Sequence, residues 1–115
     1  MKHNIIKIKS FDFSVAVVKC CSALVKRNEF VLSKQLLRSG TAIGANVREA
    51  LYASSRRDFL YRLSISLREC SETLFWLELL FASNWISETD FQKLHDDANE
   101  LMRILTSITN TLKNK

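Results

Sequence analysis

A chain of 115 residues with no proline and only two glycines lacks the punctuation that sheets require. β-Sandwiches and α/β folds turn about every ten residues and spend glycine, proline and asparagine on it. Their near-absence predicts a few long helices. Hydrophobic residues make up 47% of the chain, enough for a core and too many for a disordered polymer. The length suits one domain, which can bury roughly two-thirds of its unfolded surface. No apolar run reaches the roughly 18 residues of a membrane span. The start, "MKHNIIKIKSFDF", has neither a sustained apolar stretch nor a small-residue cleavage site, so no secretory signal is expected. Three cysteines, two of them adjacent, do not make a disulfide framework, and a cytoplasmic setting follows.

The clearest helix is the last. Phe91, Leu94, Ala98, Leu101, Leu105, Ile108 and Leu112 alternate spacings of three and four, the pattern of an a/d seam. Ser87 as N-cap, Asp90 at N3 and an Ile86–Phe91 staple mark its start. Glu88 and Asp90 suit the positive end of the helix dipole, Lys113 and Lys115 the negative end. The preceding helix has a second seam, Leu60, Leu63, Leu67, Cys70, Leu74, Leu77 and Phe81, started by the capping pair Ser55 and Asp58. On its opposite side lie Tyr61, Ile65, Trp76, Leu79 and Leu80, with Arg68, Glu69 and Glu72 among them. A helix apolar on two sides is buried on two sides, one by its own bundle and one by a second subunit. The first helix is expected over about 11–27, with Val15, Val18, Ser22 and Val25 on one stripe and Val17, Cys21 and Leu24 on the next. Asn28 and Glu29 break it. Residues 1–9 alternate in character ("NIIKIK") and read as a tail before a bundle domain at 10–115.

Both glycines fall in "LLRSGTAIGANVREA" (36–50). A phosphate-binding loop would follow a strand and open a helix. The preceding "FVLSKQLLRS" reads as helix already. On a helical wheel Leu32, Leu36, Leu37, Gly40, Ile43, Gly44, Val47, Ala50 and Leu51 share one arc. Gly40 and Gly44 are therefore missing side chains on a packed face, where another helix backbone can come close. Each costs about 1 kcal/mol of helix propensity, which close packing must offset. Four helices over about 11–27, 30–53, 56–83 and 88–113 then make an all-α, up-down-up-down antiparallel four-helix bundle.

Charge divides along the sequence. Residues 1–68 hold thirteen Lys/Arg against four Asp/Glu, and residues 69–115 four against eight, within a net charge of +5. Such a division attracts a polyanion or pairs one copy head to tail with another. Lys26, Arg27, Lys34, Arg38, Arg56, Arg57 and Arg62 are the candidates for a nucleic-acid backbone. They carry no sequence-reading motif, so binding would be backbone-led. No catalytic or metal constellation is expected. His3 and His95 lie far apart, and Ser64, Ser66 and Ser71 have no histidine partner. Cys20, Cys21 and Cys70 lack metal spacing. Di-metal bundles need Glu-x-x-His pairs, whereas Glu69 is followed by Glu72. Glu72 is expected to pair with Arg68, or across subunits with Arg38 or Arg48. Trp76 and Trp85 read as core or interface anchors.

"LSKQLLRSGTAIGANVREA" followed by "SRRDFLYRLSISLRECSETLFWLELL" resembles the four-helix-bundle proteins encoded by intervening sequences in bacterial 23S ribosomal RNA genes, also called the S23 family. Gln35, Leu36, Arg38, Ser39, Asn46 and Glu49 carry the motif of the second helix. Phe59, Leu63, Ser64, Glu69 and Leu77 continue it in the third. The resemblance spans about residues 11–113. One departure is that Glu49 precedes Ala50 where many relatives have glycine. The resemblance implies an all-α bundle assembled as a homopentamer. It also implies a distant likeness to accessory variability proteins of diversity-generating retroelements, basic barrels that contact nucleic acid and a reverse transcriptase. The expected function is a non-enzymatic oligomeric bundle without cofactor, binding RNA or DNA backbone or an RNA-associated protein through a basic face. The alternative is a protein–protein scaffold that binds no nucleic acid.

Overall fold

The computed structural model describes residues 2–113. Four helices follow in order: α1 (Lys2–Lys26), α2 (Val31–Leu51), α3 (Arg56–Ala82) and α4 (Glu88–Lys113), with no strand among the described residues. Each helix packs against two others, α1 on α2 and α4, and α3 on α2 and α4. The bundle measures 47 × 21 × 19 Å, so it is a rod about as long as its longest helix.

The joints explain how a chain with two glycines turns so sharply. Asn28 and Asn84 adopt the left-handed conformation at φ 68° and 67°. After each, a backbone N–H reaches back five residues, from Glu29 to Leu24 O at 3.0 Å and from Trp85 to Leu80 O at 2.8 Å. These are Schellman-type ends with asparagine in the usual glycine place. Glu29 is itself buried, and its Oε1 accepts the Ser33 N–H at 2.8 Å, capping the start of α2. Ser55 and Ser87 cap α3 and α4 through the Asp58 and Asp90 N–H groups at 3.0 and 3.1 Å, as their spacing predicts. Lys115, expected to complement the end of the last helix, lies outside the described residues.

The seams of α3 and α4 face inward, with Leu63, Cys70, Leu77, Leu101 and Leu105 closed to solvent. Phe81, at the end of the α3 seam, is part exposed and stacks on Phe91 with ring centroids 4.5 Å apart. The α2–α3 contact is lined by small hydroxyl residues. Ser66 donates to Ile43 O at 2.8 Å, and the Ser39 and Thr73 hydroxyls meet at 3.0 Å. No buried side-chain nitrogen or oxygen among the described residues lacks a partner. The two glycines differ. Gly40 is buried, and a Cβ there would meet both Val17 methyls at 2.9 Å. Gly44 is half-buried; its Cβ would meet Ser10 O at 3.1 Å and the Ser14 hydroxyl at 3.2 Å. Both admit α1 to α2, as the helical wheel requires.

Three expectations are corrected. Residues 2–9 are the first two turns of α1, not a tail, and Ile6 and Ser10 are buried. The alternation of "NIIKIK" obscured a helical seam of Ile6, Ser10, Phe13, Val17, Cys21 and Leu24, because its second position is a serine. Leu80, placed on the outer side of α3, is fully buried in the core. Leu37, placed inside the α2 arc, is more than a third exposed.

Candidate interaction surfaces

The outer side of α1 carries an uncovered apolar run. Ile8, Phe11, Val15, Val18 and Val25 are all exposed, between 39% and 60% of their area, and Ser22 completes alternating spacings of three and four. That is a second a/d seam, about 25 Å long at 1.5 Å per residue, with no helix packed along it among the described residues. Two clefts flank it on the α2 side. One of about 400 Å³, opened by Gly44 and Ala45, is lined by Lys7, Phe11, Ser14, Thr41 and Arg48. The other, about 550 Å³, is lined by Val18, Val25, Lys26, Phe30, Lys34 and Leu37. The sequence shows the Val15–Val18–Val25 stripe but not its direction. Only the burial of Val17, Cys21 and Leu24 turns it outward.

The outer side of α3, expected to meet a second subunit, is less apolar. Tyr61 and Leu79 are exposed, as is Phe75, which the sequence reading passed over. Ile65 is half-buried, Trp76 packs partly on the core, and Arg68 makes no ion pair among the described residues. Within the chain, neither Glu69 nor Glu72 pairs with Arg68. Both pair with Arg38 of the same chain, Glu69 at 3.2 Å and Glu72 closer still. Trp76 Nε1 donates to the same Glu72 carboxylate at 3.2 Å. The Arg38 and Trp76 hydrogen bonds hold the Glu72 carboxyl below its ordinary pKa. A lowered value in the folded state stabilises the fold above the unfolded pKa and is lost as pH falls through the folded one. Arg38 and both carboxylates are partly exposed, so Arg38→Met is expected to cost under about 1 kcal/mol at neutral pH. Urea titrations at pH 7 and near pH 3 check this. The difference between the two proteins should shrink at the lower pH.

The seven basic candidates do not share a face. Lys26, Arg27 and Lys34 lie at one end of the rod, where Arg27 donates to Trp85 O and stands 4.9 Å from its ring. Arg38 is in the middle, occupied by its carboxylates. Arg56, Arg57 and Arg62 are at the other end, where Arg56 donates to Leu112 O. The start of α1 reaches this same end, since His3 touches the Phe59 ring at 5.3 Å. So do the last turns of α2 and α4. Lys7, Arg48 and Lys113 thereby join Arg56, Arg57 and Arg62. Across residues 3–8, 48–62 and 107–113 these six cations face two carboxylates, Glu49 and Asp58. At the far end, residues 19–34 and 75–97 hold Lys19, Lys26, Arg27, Lys34 and Lys93 against six carboxylates. The charge is thus polarised along the rod, a pattern that the two sequence halves only partly express.

His95 joins Glu78 at 2.9 Å and Asn99 at 3.2 Å, with its ring 4.8 Å from Phe91. No group of three or more potential metal ligands occurs among the described residues. All three cysteines are free. Burial pushes Cys70 and Cys21 up to about 12, with smaller contributions from Glu69 and from Cys20 respectively. Burial, then Asp90, pushes Cys20 up to about 11. Thiolate attacks disulfide reagents, so these thiols should react with a chromogenic disulfide at pH 8 on the order of a hundredfold slower than an unfolded thiol. Denaturant should restore the ordinary rate. Rapid labelling of the native protein would show the helices parting at Cys20–Cys21 or Cys70.

Four packed helices define an all-helical bundle with an uncovered apolar seam and one basic end. The model for 23S rRNA-intervening sequence proteins matches residues 2–107, and the chain belongs to that family. The match takes in the residues expected to form a tail. The chain is also similar to a solved protein of unknown function from the S23 ribosomal protein family of Bacteroides thetaiotaomicron VPI-5482. Identity is 46%, covering 96% of this chain and 99% of that one, with a TM-score of 0.94. No curated protein matches the chain.

Proposed function

We propose that the chain is a non-enzymatic assembly protein, an up-down-up-down bundle whose copies join through the outer seam of α1 and whose basic ends take nucleic-acid backbone. The observation that carries the assembly is the run Ile8, Phe11, Val15, Val18 and Val25, large side chains held in water at helix-packing spacing. Covering about half of each recovers on the order of 5 kcal/mol. Association costs at least about 4 kcal/mol, so Phe30 and Leu37 beside the seam must be covered too. The occupant that suits it is a second copy. Lys7, Lys19 and Lys26 flank the seam, and Asp12 is the one carboxylate of α1, so two α1 helices face to face would repel. The acidic residues of α3 and α4, such as Glu78, Asp96 and Asp97, offer the complementary charge. Joining unlike faces gives a heterologous contact, which closes into a ring when the rotation between copies divides a full turn. Five copies is the number the family resemblance supplies. The contacts of Ser39 with Thr73 and Ser66 with Ile43 support the antiparallel order, since one number falls as the other rises. Three free thiols support a cytoplasmic setting, and no helix among the described residues is long and apolar enough to cross a membrane.

Hydroxyl-radical footprinting tests the covered seam. Relative to the denatured chain, Phe11, Val15 and Val18 should be protected several-fold more than Tyr52. Oxidation of Phe11 as free as that of Tyr52 would refute it.

A further inference from the structure

We propose that the basic end is a site for unpaired nucleotides, in which Tyr52 stacks on a base while Arg48, Arg57 and Arg62 hold the adjoining phosphates. This rests on the reading that nucleic acid is the partner of that end.

Tyr52 is 81% exposed, more than any other large apolar or aromatic side chain among the described residues. Its backbone is nevertheless fixed. The Tyr52 N–H donates to Glu49 O at 3.2 Å and the next N–H, of Ala53, to Ala50 O at 3.0 Å. The ring therefore projects from a fixed point of the backbone at the end of α2, not from a loose loop. Its surroundings in the chain are Ser54, Ser55, Arg56 and Arg57. That separates it from the α1 seam. A tyrosine that anchors a protein contact sits within an apolar, desolvated patch. Here the exposed ring lies at the end of the rod that carries Arg48, Arg56, Arg57 and Arg62, the combination that grips a strand by base stacking and phosphate contact.

The cations are available. Arg57 makes no ion pair among the described residues. Arg62 lies 6.0 Å from the Tyr61 ring, and Arg48 lies 6.0 Å from the Phe11 ring, neither with a carboxylate. Each retains its planar fork of N–H donors for a phosphate. Tyr61, 57% exposed beside Arg62, sets a second ring and guanidinium farther along α3. A duplex covers its base faces and offers this end phosphates alone. Only an unpaired strand offers a base face and phosphates together, which selects it as the ligand.

Fluorescence anisotropy with a labelled oligouridylate, a labelled duplex of equal length and labelled polyglutamate, from about 50 to about 200 mM salt, tests the site on the intact protein. The single strand should bind tighter than the duplex. Tyr52→Ala should weaken it by roughly 5- to 100-fold, the range of one lost stacking contact. Tyr52→Phe, which keeps the ring, should stay within about twofold of the unaltered protein. Arg57→Gln and Arg62→Gln should each reduce the salt slope by about 0.7. The exposed position of Tyr52 predicts unchanged helix content and assembly mass in its variants. Equal binding of duplex and single strand, with Tyr52→Ala neutral, overturns the stacking site and leaves a backbone-led contact. Failure of both nucleic acids at the lowest salt overturns the nucleic-acid reading and the site with it. If polyglutamate then binds, the basic end serves an acidic protein.

Discussion

Gly40→Leu should lower the melting midpoint by up to about 10 °C, more than Gly44→Leu does. The first added carbon already falls 2.9 Å from both methyls of Val17, closer than carbon atoms tolerate. Val17 is fully buried in α1 and β-branched, so its methyls cannot swing aside without a change of rotamer into occupied space. The remaining three carbons of leucine must then force α1 from α2. Overpacking of this kind costs about 1–3 kcal/mol and sometimes more. Replacing a helical glycine returns about 1 kcal/mol of propensity, which leaves a net cost of up to about 2 kcal/mol. For a domain near this size each kcal/mol moves the midpoint by about 3–6 °C. Gly44→Leu should also destabilise, but less. Its Cβ meets Ser10 O at 3.1 Å, while the outer carbons can enter the cleft that Gly44 itself lines. Thermal melts followed by circular dichroism compare the two. A midpoint for Gly40→Leu equal to that of the unaltered protein would mean that α1 and α2 do not approach as described.

Val15→Glu combined with Val18→Glu should separate the assembly into single bundles without unfolding them. Both side chains point away from the core, at 39% and 50% exposure, so the carboxylates remain in water in the isolated bundle. In the assembly they would lie buried in an apolar contact without partners, at a cost of several kcal/mol per charge. That exceeds what the seam contributes. Helix content should be unchanged, and sedimentation velocity should show one slow species. The same substitutions at Val17 and Leu24, in the core, should instead unfold the chain. If the Val15/Val18 variant sediments like the unaltered protein, the seam faces solvent in the assembly as well.

The residues legible from sequence alone were those whose local signal and tertiary role agree. α4 has one apolar face and a Ser-x-x-Asp cap, so its Glu88–Lys113 span could be read directly. α3 was legible for the same reasons, except on its outer side. Its 100° spacing could not tell that Leu80 turns into the core while Tyr61 and Leu79 do not. α1 was the hardest. It is apolar on two sides, and its buried seam is interrupted by Ser10, so its first turns resembled a strand or a tail. The direction of its stripes depends on which one α2 and α4 cover. The basic end was hidden for another reason. Lys7, Arg48, Arg57 and Lys113 come from distant parts of the chain, and only the return of successive helices brings them together. The Arg38 pair was half legible. The charge types were evident, but which carboxylates an arginine reaches depends on the register of α2 against α3.

Assembly through the seam is the central claim, and the mass in solution tests it most directly. Multi-angle light scattering should give a multiple of 13.3 kDa, five-fold by the family resemblance, that persists on dilution into the low-micromolar range. A mass of 13.3 kDa at every concentration would contradict the account, because the α1 seam would then be a permanently wet surface rather than an interface.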